Sequence, residues 1–259
     1  MQSVLITGGT GTLGQAISKQ LLEKGYSVHI LSSREKSEVA FFTSIIEGDL
    51  TDPSSLKAAV ESADIIIHCA SDPRNAQAVD IEGTKNLLAQ IDKKHCKNFI
   101  YVSIAGVDKI DYPYYQTKYA VEKLIEASGL PYSILRATQF HDLVLYRLIQ
   151  VFDKGVGLPI QIPANMRFQS IDKTDAAFAI VALVVSQPTN ALTTIGGPEV
   201  LTLEAMIQAY FAQSGRHETI EYIAPAMAFH QVFTTGINLC PDNAIDGIRW
   251  KEYLRGLFV

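Results

Sequence analysis

Thr7-Gly8-Gly9-Thr10-Gly11-Thr12-Leu13-Gly14 follows a short apolar run, Val4-Leu5-Ile6, and opens a helical pattern that runs from Leu13 to Leu22. Strand, glycine turn and helix is the context in which a glycine motif binds phosphate. Glycines stand at 8, 11 and 14, and Gly9, Gly11 and Gly14 also satisfy the G-x-G-x-x-G register. An early glycine permits the tight turn. Gly11, with no Cβ, lets a pyrophosphate approach the backbone, and Gly14 lets the helix close on the strand. The free N–H groups and the positive dipole end of that helix then face the anion. Against a plain glycine turn, the stretch predicts a dinucleotide site built on Gly8, Thr10, Gly11, Thr12, Leu13 and Gly14.

Outward from this turn, short apolar runs alternate with helical patterns. Strands are expected at Val4–Ile6, Ser27–Leu31, Ser44–Glu47, Ile65–Cys69, Phe99–Val102 and Tyr132–Leu135, with helices near Leu13–Lys24, Pro53–Ser62, Ala76–Lys94 and Tyr114–Ser128. Asp52-Pro53 reads as an N-cap followed by proline at the first helical position. Gly129 and Pro131 read as a helix stop. This rhythm predicts an α/β fold with a doubly wound parallel sheet of the Rossmann type. After residue 137 the rhythm changes. Gln139–Phe152 reads as helical, Gly155–Pro163 as loop, Ala176–Ser186 as helix and Leu192–Ile195 as strand. Leu203–Gln213 reads as a helix capped by Thr202, and the tail as irregular with a last helix near Trp250–Leu257. With no linker in view, one domain of 1–259 is expected, carrying a small C-terminal substrate lobe drawn from about 139–170 and 195–259.

The chain has 259 residues, of which 47% are hydrophobic, enough for one large α/β domain. The net charge of −5 and the lack of any long Lys/Arg run argue against nucleic acid as a partner. Met1-Gln2-Ser3 leads straight into a core strand, which argues against a signal peptide. No apolar stretch approaches the ~20 residues that cross a bilayer. Three scattered cysteines, Cys69, Cys96 and Cys240, fit a reducing cytoplasm better than a disulfide framework. No metal-ligating motif is present, so no metal is expected. A soluble monomer or homodimer acting on a small molecule fits these bounds.

In dinucleotide folds an acid at the end of the second strand binds the adenosine ribose 2′-hydroxyl and favours NAD. Here the strand ends Leu31-Ser32-Ser33-Arg34. Ser32, Ser33 and Arg34 offer donors to a 2′-phosphate instead, and a charge-assisted hydrogen bond is worth roughly 1.5–3 kcal/mol. NADP(H) is therefore expected over NAD(H). The competing reading leaves Arg34 in solvent and gives the ribose to Glu35. Asp49 and Leu50 follow the third strand, where Asp49 would meet the adenine amino group or serve as a turn aspartate. Cys69, Ala70 and Ser71 end the fourth strand at the edge of the sheet that lines the ligand crevice. His68 reads as a packed histidine.

Tyr114 and Lys118 are four residues apart at a helix start and share a face. A nearby ammonium lowers a phenol below its usual ~10, which would make Tyr114 a general acid/base. Lys118 would also bind the nicotinamide ribose. Ser103, at the end of the fifth strand, could polarise a carbonyl. Gln139 and His141 follow the sixth strand, and Met166 and Phe168 fall in a stretch read as a closing loop. These four are substrate candidates, although Met166 could equally be core. Phe229, Phe233 and Trp250 read as lobe packing, and Arg136 as a loop-holding residue.

At this point the chain resembles the NmrA-like group of atypical short-chain dehydrogenase/reductases. The resemblance rests on TGGTGTLG (7–14), GDL (48–50), VDIEGTKNLL (79–88), FIYVSIAGVD (99–108), YYQTKYAVEKLI (114–125), GLPYSILRATQF (129–140) and IGGPEVLTLEAM (195–206). It implies Ser103, Tyr114 and Lys118 as the catalytic set. It also implies that the Arg136–Phe140 segment lies beside the nicotinamide and substrate, which brings Ala137, Thr138 and Phe140 to the cofactor. Two departures stand out: Asp80 sits near the place of a relay asparagine, and Leu-Arg-Ala (135–137) replaces Leu-Arg-Pro. The expectation is an NADPH-dependent reductase of a small carbonyl, quinone or enone compound. A non-catalytic NADP(H) sensor and a nicotinamide-using epimerase or dehydratase are the alternatives.

Overall fold

The computed structural model describes residues 2–33, 44–224 and 228–258. Its elements begin with β1 (Ser3–Thr7), α1 (Thr12–Glu23), β2 (Ser27–Ser32), β3 (Ser44–Glu47), α2 (Lys57–Glu61) and β4 (Ile65–His68). They continue with α3 (Gly83–Gln90), β5 (Asn98–Ile104), α4 (Pro113–Glu126) and β6 (Tyr132–Ala137). The second half adds α5 (His141–Val144), α6 (Gln150–Phe152), β7 (Ile160–Pro163), β8 (Arg167–Phe168), α7 (Lys173–Val185) and β9 (Ala191–Ile195). The last elements are β10 (Leu201–Thr202), α8 (Leu203–Gln213), β11 (Ile220–Ile223), α9 (Ala228–Thr235) and α10 (Trp250–Leu257). The chain divides into two compact units. The first comprises 1–103, 113–136 and 176–193, and the second 104–112, 137–175 and 194–259. The expected lobe segments fall within the second.

Among the described residues seven strands form the central sheet in the order β3-β2-β1-β4-β5-β6-β9. The pairs β1–β2, β1–β4, β2–β3 and β4–β5 are parallel, with Val4 opposite both Val28 and Ile65. Strands covered on both faces read as unbroken apolar runs, and Val4, Leu5, Ile6, Ile66 and Ile67 are all fully buried. Alternate residues Leu5, Ile66, Phe99, Tyr101 and Ile134 meet Ala59 and Val60 of α2, Leu87 of α3, and Val121 and Ile125 of α4 in one core. From β1 the strand order runs outward in both directions. This makes the carboxyl ends of β1 and β4 the switch point where such sheets bind ligands.

Two expected helices are not continuous. Pro53–Ser55 is a 3₁₀ turn, with the Asp52 carboxylate accepting from the Ser54 N–H at 3.0 Å, and α2 follows it separately. The run expected from Ala76 to Lys94 opens with a π-helical turn, Gln77–Glu82, continues as α3 and leaves helical geometry at Ile91 (ψ 126°).

In the second unit, α5, a π-helical turn at Leu145–Ile149 and α6 make one irregular helical run. Thr202 caps α8 by accepting from the Ala205 N–H at 3.1 Å. The expected loop Gly155–Pro163 instead ends in β7, paired in parallel with β11 from the tail. The tail also contributes α9, so it is less irregular than expected. Arg216 clamps Asp153 through both Nη1 and Nη2. The core gathers Met166, Phe168, Met206, Ile207, Phe211, Phe233, Trp250 and Leu254, and the Trp250 indole N–H donates to Met206 O at 3.0 Å. The Phe229 side chain lies outside the described ones. Beside Trp250, a groove of about 570 Å³ runs along α8 and α10, with Ala205, Ala209 and Leu254 on its walls.

Candidate functional site

The glycine turn is shaped by backbone that only glycine permits. Gly8 has φ of +69°, and a Cβ there would lie 2.7 Å from Ala70 N. A Cβ on Gly14 would overlap Gly8 O and Gly9 Cα, so α1 rests directly on the turn. Gly11 forms the N-cap of α1, no side chain among the described residues caps the helix, and its first turn carries no acid. The leading N–H groups of a helix have no intrahelical partner. Here they are presented with the positive end of the helix dipole beside the turn, which is the chemistry a pyrophosphate requires.

A crevice of about 510 Å³ opens from this turn across the carboxyl ends of the strands. Thr7, Gly8, Thr10 and Gly11 line it from β1 and the turn, and Leu31, Ser32 and Ser33 from the end of β2. Gly48–Thr51 follow β3, and Cys69–Asp72 follow β4. Thr12 is exposed at the head of α1 and Leu13 buried behind it. Arg34 and Glu35 lie outside the described residues. The Asp49 carboxylate ties down its own turn, accepting from the Thr51 N–H and hydroxyl at 2.8 Å each. Burial pushes the half-buried Cys69 thiol up to about 12, so it remains a thiol.

Beneath the crevice His68 is fully buried and uses both ring nitrogens. Nε2 is 2.8 Å from Thr84 Oγ1 and Nδ1 is 2.6 Å from Thr7 Oγ1. The Thr84 hydroxyl already donates to Asp80 O. It therefore accepts from Nε2–H, and Thr7 donates to Nδ1. Burial first, then the Lys118 charge, holds this imidazole down to about 3. His68 is a neutral strut that ties β1 to α3.

Tyr114 and Lys118 share the same helix, but their polar ends have different partners. Tyr114 Oη is 2.8 Å from Ser71 Oγ. Lys118 is buried, donates to Val102 O at 3.0 Å and stands 4.3 Å over the Tyr101 ring. The expectation that Lys118 lowers the Tyr114 phenol is not met. Burial raises the phenol to about 12, opposed by the Ser71 hydrogen bond and reinforced by the Asp80 and Asp72 carboxylates. Burial in turn lowers Lys118. Among the described residues Ser103 Oγ is buried without a hydrogen-bond partner, as is Tyr101 Oη.

The remaining candidates belong to the second unit. Thr138 spends its hydroxyl on Gln169 O and the Gly197 N–H, and Phe140 bridges Ile171. His141 bonds Ser170 Oγ at 2.8 Å and Ile248 O at 2.9 Å, which occupies both ring nitrogens in a structural role. Gln139 is buried against Asn238. Met166 and Phe168 are fully buried, Phe168 stacking on Phe233 at 4.5 Å. They are core rather than a closing loop, because β8 pairs with β10 and turns Phe168 inward. Arg136, in the first unit and expected to hold a loop through carbonyls, reaches a carboxylate. Its Nε and Nη2 grip the buried Glu122 carboxylate. The Ser71–Asp80 contact and the crevice residues Thr7, Asp72 and Asn75 were not anticipated. Thr7, abutting the glycine turn, and Asp80, near the place of a relay asparagine, carried a sequence signal.

The sequence description "NAD(P)H-binding" matches residues 8–157, more than half of the chain and all of the crevice after Thr7. The chain belongs to this NAD(P)H-binding family. Its Rossmann-type sheet is the fold that dinucleotide binding calls for. Across 97% of its length it is 28% identical to the photosystem II assembly factor Ycf39 of Synechocystis sp., covering 79% of that protein. The NADPH-dependent quinone oxidoreductase QOR2 of Escherichia coli, solved with NADPH, aligns over 99% of this chain and 100% of its own at 16% identity, with a TM-score of 0.81. A UDP-glucose 4-epimerase from Thermotoga maritima aligns over 98% and 96% at 18% identity, with a TM-score of 0.76. At these identities the two structures speak to fold alone. Among the described residues no helix is long and apolar enough to cross a membrane, and no cluster of acids, histidines and cysteines is placed to hold a metal.

Proposed function

We propose that this protein is an NADP(H)-dependent reductase of a small carbonyl, quinone or enone compound. The observation that carries this reading is the 2.8 Å hydrogen bond between Tyr114 and Ser71, because Ser71 lines the nucleotide crevice and brings the phenol to its edge. The bound nicotinamide supplies the hydride. Gly8, Gly11 and the head of α1 hold the pyrophosphate, Asp49 and Leu50 border the adenine, and Ser32, Ser33 and Arg34 receive the 2′-phosphate. Tyr114, kept a neutral phenol, donates the proton to the substrate oxygen. Ser103, a buried hydroxyl with no partner among the described residues, orients that oxygen. An unsatisfied buried hydroxyl is costly, and a carbonyl oxygen would satisfy it. Lys118 stands by as the cation for the ribose hydroxyls. Absence of an acid at Ser32–Ser33 supports NADP(H) over NAD(H).

The test is NADPH oxidation against a panel of quinones, aldehydes, ketones and enones, with Tyr114→Phe alongside. A proton-transfer residue contributes about 100-fold or more. The variant is expected to lose at least that in kcat while binding NADPH with unchanged Kd. A second reading has its own observation, the likeness to Ycf39 over nearly the whole chain. In that reading nucleotide binding governs association with a protein partner. Tight NADPH binding without turnover of any compound would favour it. Retained nucleotide with an isomerised sugar and no net NADPH consumption would favour an epimerase.

A further inference from the structure

A surface helix ordinarily turns one apolar face inward and a polar face outward. In the second unit, α8 buries Leu203, Met206, Ile207 and Phe211. Beside that buried face it carries Ala205, Ala209 and Ala212, which are half-buried or exposed. These alanines form one wall of the groove of about 570 Å³, with Leu254 and the Trp250 indole closing it from α10. The wall follows α8 from Ala205 to Gln213, about 12 Å of helix. Alanine ends at Cβ, so a neighbour can lie close to the backbone along this length.

The α10 side of the groove is also charged. Lys251 and Arg255 stand one turn apart on it, exposed and about 6 Å from each other. Neither side chain has a hydrogen-bond or ion-pair partner among the described residues. Glu199, the acid among the lining residues, is already engaged: it accepts from the Trp250 N–H at 3.1 Å and pairs with Arg249 at 3.6 Å. Nearby Glu204 accepts from the Tyr222 hydroxyl and the Gln208 amide, and Glu252 accepts from the Arg249 N–H at 2.9 Å. The groove is therefore apolar with two unanswered cations, in a chain whose net charge is −5. Charge complementarity calls for an anionic occupant. An elongated apolar groove between two helices, with cations one turn apart, matches the apolar face and acidic edge of a third helix. A second copy of this chain is disfavoured, because a two-fold contact sets a patch against itself and would oppose the same cations.

We propose that this groove docks an amphipathic helix of a partner protein. Its apolar side chains would lie against Ala205, Ala209 and Leu254, and acids one turn apart would pair with Lys251 and Arg255. The site does not depend on the reductase reading: a protein that turns over nothing can hold a helix here, and turnover would not create such a site.

The probe is a synthetic peptide of about 15 residues, the length at which an isolated helix begins to form. It carries leucines at i, i+4 and i+7 and glutamates one turn apart along one edge. Its twin has lysine in place of each glutamate. Binding to the full-length protein is followed by energy transfer from Trp250, the chain's only tryptophan, to a dansyl group on the peptide. The glutamate peptide is expected to bind about tenfold tighter than its twin, a preference that shrinks in high salt. Lys251→Glu together with Arg255→Glu, both at exposed positions, should reverse the preference. Ala209→Leu narrows the groove and should weaken the glutamate peptide about tenfold. Equal binding of the twins, binding of neither, a preference unmoved by charge reversal, or full affinity in a folded Ala209→Leu protein overturns the proposal. If Ala209→Leu does not fold, the charge reversal decides alone. A dimer in sedimentation that Ala209→Leu dissolves would give the groove to a second copy, and decanoate altering Trp250 emission where neither peptide binds would give it to a small anion. Either result also overturns the proposal.

Discussion

Two cavities of similar volume, about 510 Å³ in the first unit and about 570 Å³ in the second, arise in opposite ways. The crevice beside Gly8 and Gly11 exists because side chains are missing: a Cβ on Gly8 would strike Ala70, and one on Gly14 would strike the turn. The groove beside α8 and α10 exists around a large side chain, Trp250, with alanines facing it. One presents backbone donors and hydroxyls, the other mainly apolar wall. Volume alone would rank them equal. The donors identify the ligand site.

Enlarging the second cavity is the harshest break. Trp250→Ala removes a fully buried indole and its bond to Met206 O, and is expected to cost about 3–5 kcal/mol in urea denaturation. A loss below about 1 kcal/mol would mean that the tail does not pack as described. Filling the first cavity comes next. Gly14→Val forces α1 off the turn at a cost of about 1–3 kcal/mol in stability, and the displaced helix head is expected to weaken NADPH binding about 10-fold or more, roughly 1.4 kcal/mol. Calorimetric titration with unchanged affinity would remove the pyrophosphate from this turn. The third break is by pH and concerns the strut under the crevice. His68 stays neutral down to about 3 in the fold, whereas an unfolded histidine titrates near 6.5. Between those values the unfolded chain binds more protons. The His68 contribution is therefore complete above about pH 6.5 and is lost as pH falls toward 3. A melting temperature about 5 °C lower at pH 5 than at pH 7 is expected from this group. His68→Gln should flatten that dependence, and an unaltered slope would assign the acid sensitivity elsewhere.

The same contrast explains what could be read from the chain before its structure. Features written into the backbone were readable locally. The glycine turn, the Asp52-Pro53 cap and the Thr202 cap each depend on residues within a few positions, and the sheet strands follow from unbroken apolar runs such as Ile65–Ile67. Features that depend on a distant partner were not. β7 was masked by Gly155, Gly157, Pro159 and Pro163, and it is a strand because Ile220–Ile223 lies against it. Met166 and Phe168 looked like loop residues because β8 is two residues long and owes its pairing to Leu201 and Thr202. The π turn at Gln77–Glu82 breaks the 3.6-residue period on which a helix reading relies. At the site, spacing put Tyr114 and Lys118 on one helix face. Their partners, Ser71 Oγ and Val102 O, come from other elements and leave the two side chains serving different ends.

α1 begins at Gly11 with no side chain capping it and no acid in its first turn. The anion that docks there completes the helix as a cap would. The nucleotide is thus an architectural member of the fold, and its concentration enters the folding equilibrium directly. At a hundredfold excess over Kd a ligand that binds only the folded form adds about 2.7 kcal/mol. Cells that draw down this nucleotide would therefore lower the amount of intact protein, a form of control that needs no second binding site.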